Sequence, residues 1–242
     1  MGNKPLISII IPLYNSASYL HHCLQSIMQQ TYQYFEVIMV DDASQDDTVK
    51  QAQKWVHSDP RFYLYQQHVN HGVSTNRNIG LSHARGTYVS FVDPDDWCAP
   101  DFLQTFINHS SGNDLVITGF YCNEHVASSI WPLQQHYYSP GQMLPFIMAN
   151  FGNIRGYVWN KCYRRQLIAK YHLRFDTDLT IMEDMLFNVK YLMHAQRCYY
   201  TSQPHYHYVK RHNSTVHTVN KRMLQDIFKA IWRSSKVVLL HK

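Results

Sequence analysis

The sequence predicts an α/β protein, a mostly parallel sheet with helices on both faces. Three observations carry this. Short β-branched runs alternate with stretches of helical period up to Phe120, the signature of successive strand–helix units. Polar clusters directly follow three of the strands, where open α/β sheets bind ligands. At 242 residues the chain has ample length for a real core.

Each element has its own reason. Residues 6–13 form a continuous apolar run, a buried strand by composition. Residues 18–30 place Leu20, Cys23, Leu24, Ile27 and Met28 at helical spacing. Residues 36–40 make a second strand and 46–55 a helix capped by Ser44 or the acids after it. A strand over 62–65, a helix over 73–84, a strand over 87–92, a helix over 100–109 and a strand over 115–120 follow. Beyond this the pattern loosens. Residues 141–150 and 181–195 read as helices, 197–200 and 206–209 as short strands, and 157–165 as an aromatic, basic stretch. The expected organisation is 1–120, 121–218 and a C-terminal helix within 219–242.

Composition narrows the classes. The five cysteines are scattered and form no Cys-x-x-Cys pair, which argues against a disulfide framework or a structural zinc and for a reducing compartment. Apolar runs fall short of a bilayer span and the opening residues lack a signal-peptide pattern, so a cytoplasmic protein is expected. From Val219 onward six bases face one acid, which accounts for the whole net charge of +5. Met223, Leu224, Ile227, Phe228, Ile231 and Trp232 recur there at helical period. Such a helix packs on its own domain or makes peripheral contact with an anionic membrane. No nucleic-acid recognition motif accompanies the charge. There is neither a G-x-G-x-x-G turn nor a P-loop.

The acids after the fourth strand are the main chemical signal. Asp93, Asp95 and Asp96 crowd into four positions behind an apolar run. Like charges gathered at a strand end repel unless a cation sits among them. Hard oxygen ligands suit Mg²⁺ or Mn²⁺, which commonly share their shell with substrate phosphates. The plainer alternative is a turn and a cap for the next helix. Pro12, Tyr14 and Asn15 after the first strand, and Asp41 and Asp42 after the second, are expected at the same sheet edge.

The chain resembles family 2 glycosyltransferases of the GT-A fold. Ser8-Ile9-Ile10-Ile11-Pro12-Leu13-Tyr14-Asn15, Gln29-Gln30-Thr31-Tyr32, Val40-Asp41-Asp42-Ala43-Ser44, Asn76-Arg77-Asn78-Ile79-Gly80 and Phe91-Val92-Asp93-Pro94-Asp95-Asp96 carry the resemblance, in order and spacing. Trp159-Asn160-Lys161, Tyr163-Arg164-Arg165 and Glu183-Asp184 with Phe187 resemble the polysaccharide-building bacterial members, capsule and lipopolysaccharide enzymes among them.

The resemblance implies inverting transfer of a sugar from a nucleoside-diphosphate donor, UDP-linked by the Asp42 position, to a hydroxyl of a glycan or lipid-linked acceptor. Tyr14 would lie against the base and Asp42 would accept its N–H, with Asp41, Asn15, Pro12 and Glu36 near the nucleotide. Arg77 would face the diphosphate, Asp93 the ribose or the metal, and Asp95 the Mn²⁺ or Mg²⁺ directly. Asp184 would be the general base and Glu183 its substitute, the competing reading being acids that favour a helix N-terminus. Ala43 stands where the family often has glycine, so the backbone there is expected to avoid positive φ. Trp159 suits core and sugar stacking equally. Lys161, Arg164 and Arg165 are expected at the surface, with contact to phosphates of the donor or a lipid carrier as their other reading. His207 is expected to be structural, with a third metal ligand as its other reading. The competing functions are a sugar-nucleotide pyrophosphorylase and an inactive nucleotide-binding domain.

Overall fold

The computed structural model describes residues 4–126, 136–149, 154–210 and 221–241. Its frame is β1 (Ile7–Leu13), α1 (Leu20–Met28), β2 (Phe35–Asp41), α2 (Thr48–Ser58), β3 (Phe62–Gln66), α3 (Val73–His83) and β4 (Tyr88–Phe91). There follow β5 (Trp97–Cys98), α4 (Phe102–Ser110), β6 (Leu115–Cys122), β7 (His125–Val126), β8 (His136–Tyr138) and α5 (Pro140–Met148). The remainder is β9 (Lys161–Arg164), α6 (Arg165–Lys170), α7 (Glu183–Leu192), β10 (Cys198–Tyr208) and α8 (Lys221–Leu240).

One sheet runs through the molecule in the order β3-β2-β1-β4-β9-β6-β10-β5, with β7 on β6 and β8 on β10. β3, β2, β1 and β4 are parallel, as are β6 and β10. β9 runs antiparallel between β4 and β6. The boundary expected at residue 120 falls inside β6. Successive strand side chains point to opposite faces, so β1 divides its residues. Ile10 joins a core with α5 and α7, while Ile7, Ile9 and Ile11 join a core with α1 and α4. This double burial explains the unbroken apolar strands. α3 lies close on β1 because Gly80 has no side chain: a Cβ there would stand 2.3 Å from Ile10 Cγ2. Among the described residues no helix is long and apolar enough to cross a membrane.

Pro12 lies within a central strand without harm. The Ile10 carbonyl accepts from Val92 N and the Leu13 carbonyl from Asp42 N. Alternation therefore turns residue 12 toward β4, whose ladder with β1 ends at the Ile10–Phe91 pair. No partner strand asks for the missing N–H.

The expected strands 197–200 and 206–209 are one strand, β10, with irregular register around Pro204. β5 and β9 lie outside the expected elements. β9 is four residues long and includes a buried lysine, which hides it from any apolar pattern.

Candidate active site

The turn after β2 is made by its own acids. The Asp41 carboxylate accepts from Ser44 N at 3.1 Å and Ser44 Oγ at 2.5 Å. The Asp42 carboxylate accepts from His71 N at 2.9 Å and Gly72 N at 2.8 Å, fixing the entry to α3, where Gly72 has φ 87°. Asn15 closes the loop after β1 on the same turn: Ser44 Oγ accepts from its N–H, and its Oδ1 accepts from Gln45 N. Tyr14 beside it is exposed. Ala43 corrects the expectation of negative φ: its φ is 60°. The hydrogen bonds that hold Asp41 to Ser44 impose a conformation that an L side chain adopts at a cost of about 1–2 kcal/mol.

Glu36 is placed elsewhere. It is the second residue of β2, roughly 16 Å from the Asp41 end at the usual rise per residue. Its carboxylate accepts from Ser8 Oγ at 2.7 Å and from Arg85 N, Nε and Nη2 at 2.8, 2.8 and 2.6 Å. It ties β1 to the loop before β4 and has no part at the carboxyl edge.

The acid loop after β4 is pinned by a tyrosine the sequence reading did not single out. Tyr206 donates to Asp96 Oδ2 at 2.8 Å and accepts from Asp93 N at 3.1 Å. Val209 N donates to Asp96 Oδ1 at 2.9 Å. Asp96 is thereby buried and acts as the loop's anchor, while Asp93 and Asp95 remain half-buried. Burial, with Asp93 and Asp95 nearby, pushes the Asp96 carboxyl well above its ordinary range. Tyr206 lies 110 residues from Asp96 in sequence, so no local signal announces the pair.

Arg77 on α3 collects the remaining acids. Its guanidinium is buried, with Nη1 3.0 Å from Glu183 Oε1 and 2.6 Å from Asp184 Oδ1, and Nη2 3.1 Å from Asp93 Oδ1. Three acids from two distant parts of the chain thus meet one cation. Burial works against the Arg77 charge, and Asp184, Asp93 and Glu183 overrule it, so its proton is held more tightly than usual. Burial pushes the Asp184 carboxyl well above its ordinary range; Arg77 pulls it back, and Glu183 and Asp93 add to the rise. Glu183 and Asp184 occupy the first turn of α7, a favourable place for negative charge. Met182 precedes them with φ 65°, so the helix is entered through a strained residue.

Lys161, whose charge acts on Asp184, is moved by the structure from the expected surface to complete burial. Its Nζ donates to the carbonyls of Ile154, Arg155 and Tyr157 at 2.9, 3.0 and 2.5 Å, and to Asn160 Oδ1 at 2.8 Å. Asn188 of α7 donates to the Gly156 and Asp184 carbonyls at 2.7 and 2.8 Å and accepts from the Tyr163 hydroxyl. The loop before β9 and the helix bearing the acids are therefore one hydrogen-bonded unit. Arg164 and Arg165 bind Asp114 and the Gly86 carbonyl respectively. Trp159 is buried, stacked on Tyr206 at 4.5 Å. His207 is sandwiched between Trp97 and Tyr121 at 3.3 and 4.4 Å, and His205 is held by Asp101 and Thr105.

Among the described residues no three metal-type side chains form a preformed cage. The donor set still suits a hard divalent ion: Asp93 and Asp95 supply two carboxylates from one short loop, and such ions take the rest of their shell from water and phosphate.

Residues 8–172 match the family described as Glycosyl transferase family 2. The chain belongs to this family. EpsJ of Bacillus subtilis, an uncharacterized glycosyltransferase, is 32% identical over 216 residues, 87% of this chain and 62% of its own length. The glycosyltransferase GlyA of Streptococcus pneumoniae is 28% identical over 97% of this chain and 34% of its own. The family 2 chain thus spans less than two thirds of these relatives. TarS of S. aureus, in a crystal structure with UDP-GlcNAc, superposes with a TM-score of 0.82 at 24% identity over 96% of this chain and 66% of that one. The mannosyltransferase PcManGT from Pyrobaculum calidifontis, in complex with GDP-Man and Mn²⁺, gives 0.61 at 18% identity over 98% and 74%. These two likenesses establish the shared GT-A fold.

Proposed function

We propose that this chain transfers a sugar from a nucleoside-diphosphate donor, UDP-linked, to a hydroxyl of a glycan or lipid-linked acceptor, with inversion. The observation that carries the reading is the Arg77 junction, where Asp93 of the acid loop and Asp184 at the head of α7 are held by one guanidinium. TarS in complex with UDP-GlcNAc, on the same fold, supports the donor class. Tyr14, Asn15, Pro12, Asp41 and Asp42 would form the nucleoside side of the site, and Arg77 and Asp93 the diphosphate side.

Charge argues for a cation. A diphosphate does not settle beside Asp93 and Asp95 unless positive charge lies between them. Those two residues would hold Mn²⁺ or Mg²⁺, which when bound neutralises charge on the departing diphosphate. Asp184 would take the proton from the acceptor hydroxyl as its oxygen attacks the anomeric carbon, while the bond to the diphosphate oxygen breaks on the opposite face. A diphosphate leaving group needs no proton, so no general acid is required. Glu183 would be the substitute base. The outward face of α8, with Phe228 and Trp232 exposed, would give peripheral contact with an anionic membrane at its cytoplasmic side.

The test is a nucleotide panel read by thermal shift and by donor turnover. UDP with Mn²⁺ is expected to raise the melting temperature where GDP or metal alone does not. Asp184→Asn is expected to keep that shift and lose about 10²–10⁴-fold in transfer rate. A panel in which no UDP-sugar binds or turns over overturns the reading.

A further inference from the structure

A concave site opens beside the acid loop. It is a cleft of about 230 Å³ between the ends of β6 and β10 and the loop before β9, lined among others by Phe120, Tyr157, Tyr208, Arg155, Lys210 and His125. Its chemistry is uneven. Three aromatic rings and two cations face it, and among the described residues that line it none is acidic. The neighbouring Glu124 is directed toward His207, 3.8 Å away.

The cleft is built, not incidental. Arg155 has φ 39°, a left-handed conformation that a non-glycine residue adopts at a cost. The buried Lys161 donates to its carbonyl and to those of Ile154 and Tyr157, which holds the loop in that shape. Arg155 Nη1 lies 3.3 Å from the Tyr157 hydroxyl. Tyr157 stacks on Trp159 at 4.8 Å, and Trp159 on Tyr208 at 5.5 Å, so the aromatic wall is a rigid ladder. The wall also touches the catalytic apparatus. Val209, next to Tyr208, donates to Asp96, and Asn188 links Gly156 to Asp184. Burial pushes the Tyr208 hydroxyl up to about 12, and Tyr157, Asp96 and Asp95 add to the rise.

We propose that this cleft receives the acceptor, and that the acceptor is an anionic glycan, a sugar carrying phosphate or carboxylate. The proposal rests on the transferase reading above for the word acceptor alone; the ligand chemistry stands on the cleft. Aromatic faces receive the apolar face of a sugar ring. Arg155 offers a planar fork for an oxyanion and Lys210 a point charge. A neutral glycan would meet the aromatic wall and gain no charge-assisted contact from Arg155 or Lys210.

The experiment titrates the full chain with three probes, a hyaluronan tetrasaccharide, a maltose phosphate and neutral chitotetraose, by calorimetry at low and moderate salt. Binding of one or both anionic probes at least tenfold tighter than the neutral one, weakening with salt, is expected; which anionic probe binds separates carboxylate from phosphate. Arg155→Ala and, at an exposed strand end, Lys210→Glu are each expected to weaken that binding about tenfold or more, the equivalent of one charge-assisted contact, while the UDP-induced thermal shift is retained. Equal binding of all three probes, binding of none, or indifference to both variants overturns the proposal. Loss of the UDP response in the unaltered chain, with anionic binding intact, would instead remove the transferase reading and leave the cleft.

Discussion

At the residue scale, the site is an argument between burial and charge. Asp184 is poised above the ordinary carboxylate range because it is buried, and Arg77 limits the rise. The proposed base must be deprotonated to act, so the rate is expected to fall as pH drops through the raised pKa. Arg77→Met removes the restraint, and the acid limb of the pH–rate profile is expected to move to higher pH. The same variant leaves three carboxylates without their partner and is expected to lose about 3 kcal/mol of stability in urea unfolding. An acid limb that stays in place removes Asp184 from the role of base.

Lys161 sets a second test at this scale. Burial lowers its pKa from 10.5 to about 7, with Asp184 opposing. Between those values the unfolded chain carries a proton the native chain has released. Stability of the unaltered protein, relative to Lys161→Met, is therefore expected to rise by roughly 1 kcal/mol per pH unit from 7 toward 10.5 and to be flat below 7. Denaturant titrations of both proteins at several pH values decide it. The sequence marks Lys161 only as one base in an aromatic, basic stretch. Its burial depends on carbonyls of a loop whose path only the folded chain defines.

At the element scale, legibility follows locality. Apart from β5, the strands and helices up to β6 obey periods that a one-dimensional reading can see, and their bounds differ from expectation by only a few residues. The acid clusters were legible for the same reason, since each sits at the end of an apolar run. β5 and β9 are too short for any period, and their stability comes from neighbours across the sheet. Glu36 was misplaced because its sequence neighbours join it to the site while the strand carries it to the opposite end.

α8 shows two faces that the sequence could not rank. Its inner face is clipped by Asp226 to Thr180 and by Lys229 and Arg233 to Asp178. Arg233 and Lys229 hold the Asp178 carboxyl well below its usual range, so the contribution of this clip is full above that range and is lost as pH falls below it through the lowered value. Asp178→Ala is expected to speed amide exchange in α8 while lowering global stability by less than about 1 kcal/mol, as for exposed pairs. The outer face exposes Leu224, Phe228, Ile231, Trp232 and Leu239. If it meets a membrane, vesicles rich in phosphatidylglycerol should sediment the protein and phosphatidylcholine vesicles should not. The paired change Phe228→Ser, Trp232→Ser is expected to reduce sedimentation several-fold. Equal recovery with both lipids removes the membrane role.

At the scale of the whole molecule, the proposed donor site and the proposed acceptor cleft share one sheet. The parallel strands bring Asp42 and Asp93 to one edge, and β10 returns from the far end of the chain to brace the acid loop through Tyr206. The paired experiment follows from that. Tyr206→Phe keeps the ring but removes the hydroxyl that links Asp96 to Asp93, and is expected to weaken UDP–Mn²⁺ stabilisation more than it lowers the melting temperature of the unliganded chain. An undiminished nucleotide response would show that the loop needs no such brace.

The reversed strand β9, wedged between β4 and β6, has a consequence for how the chain is made. During synthesis β4 emerges early and keeps one flank bare until residue 164 has left the ribosome. The nascent amino-terminal part therefore carries an unzipped seam, open to strand swapping with another copy. A fragment ending at residue 120 should clump where the longer chain does not, and supplying residues 154–208 in trans should rescue it.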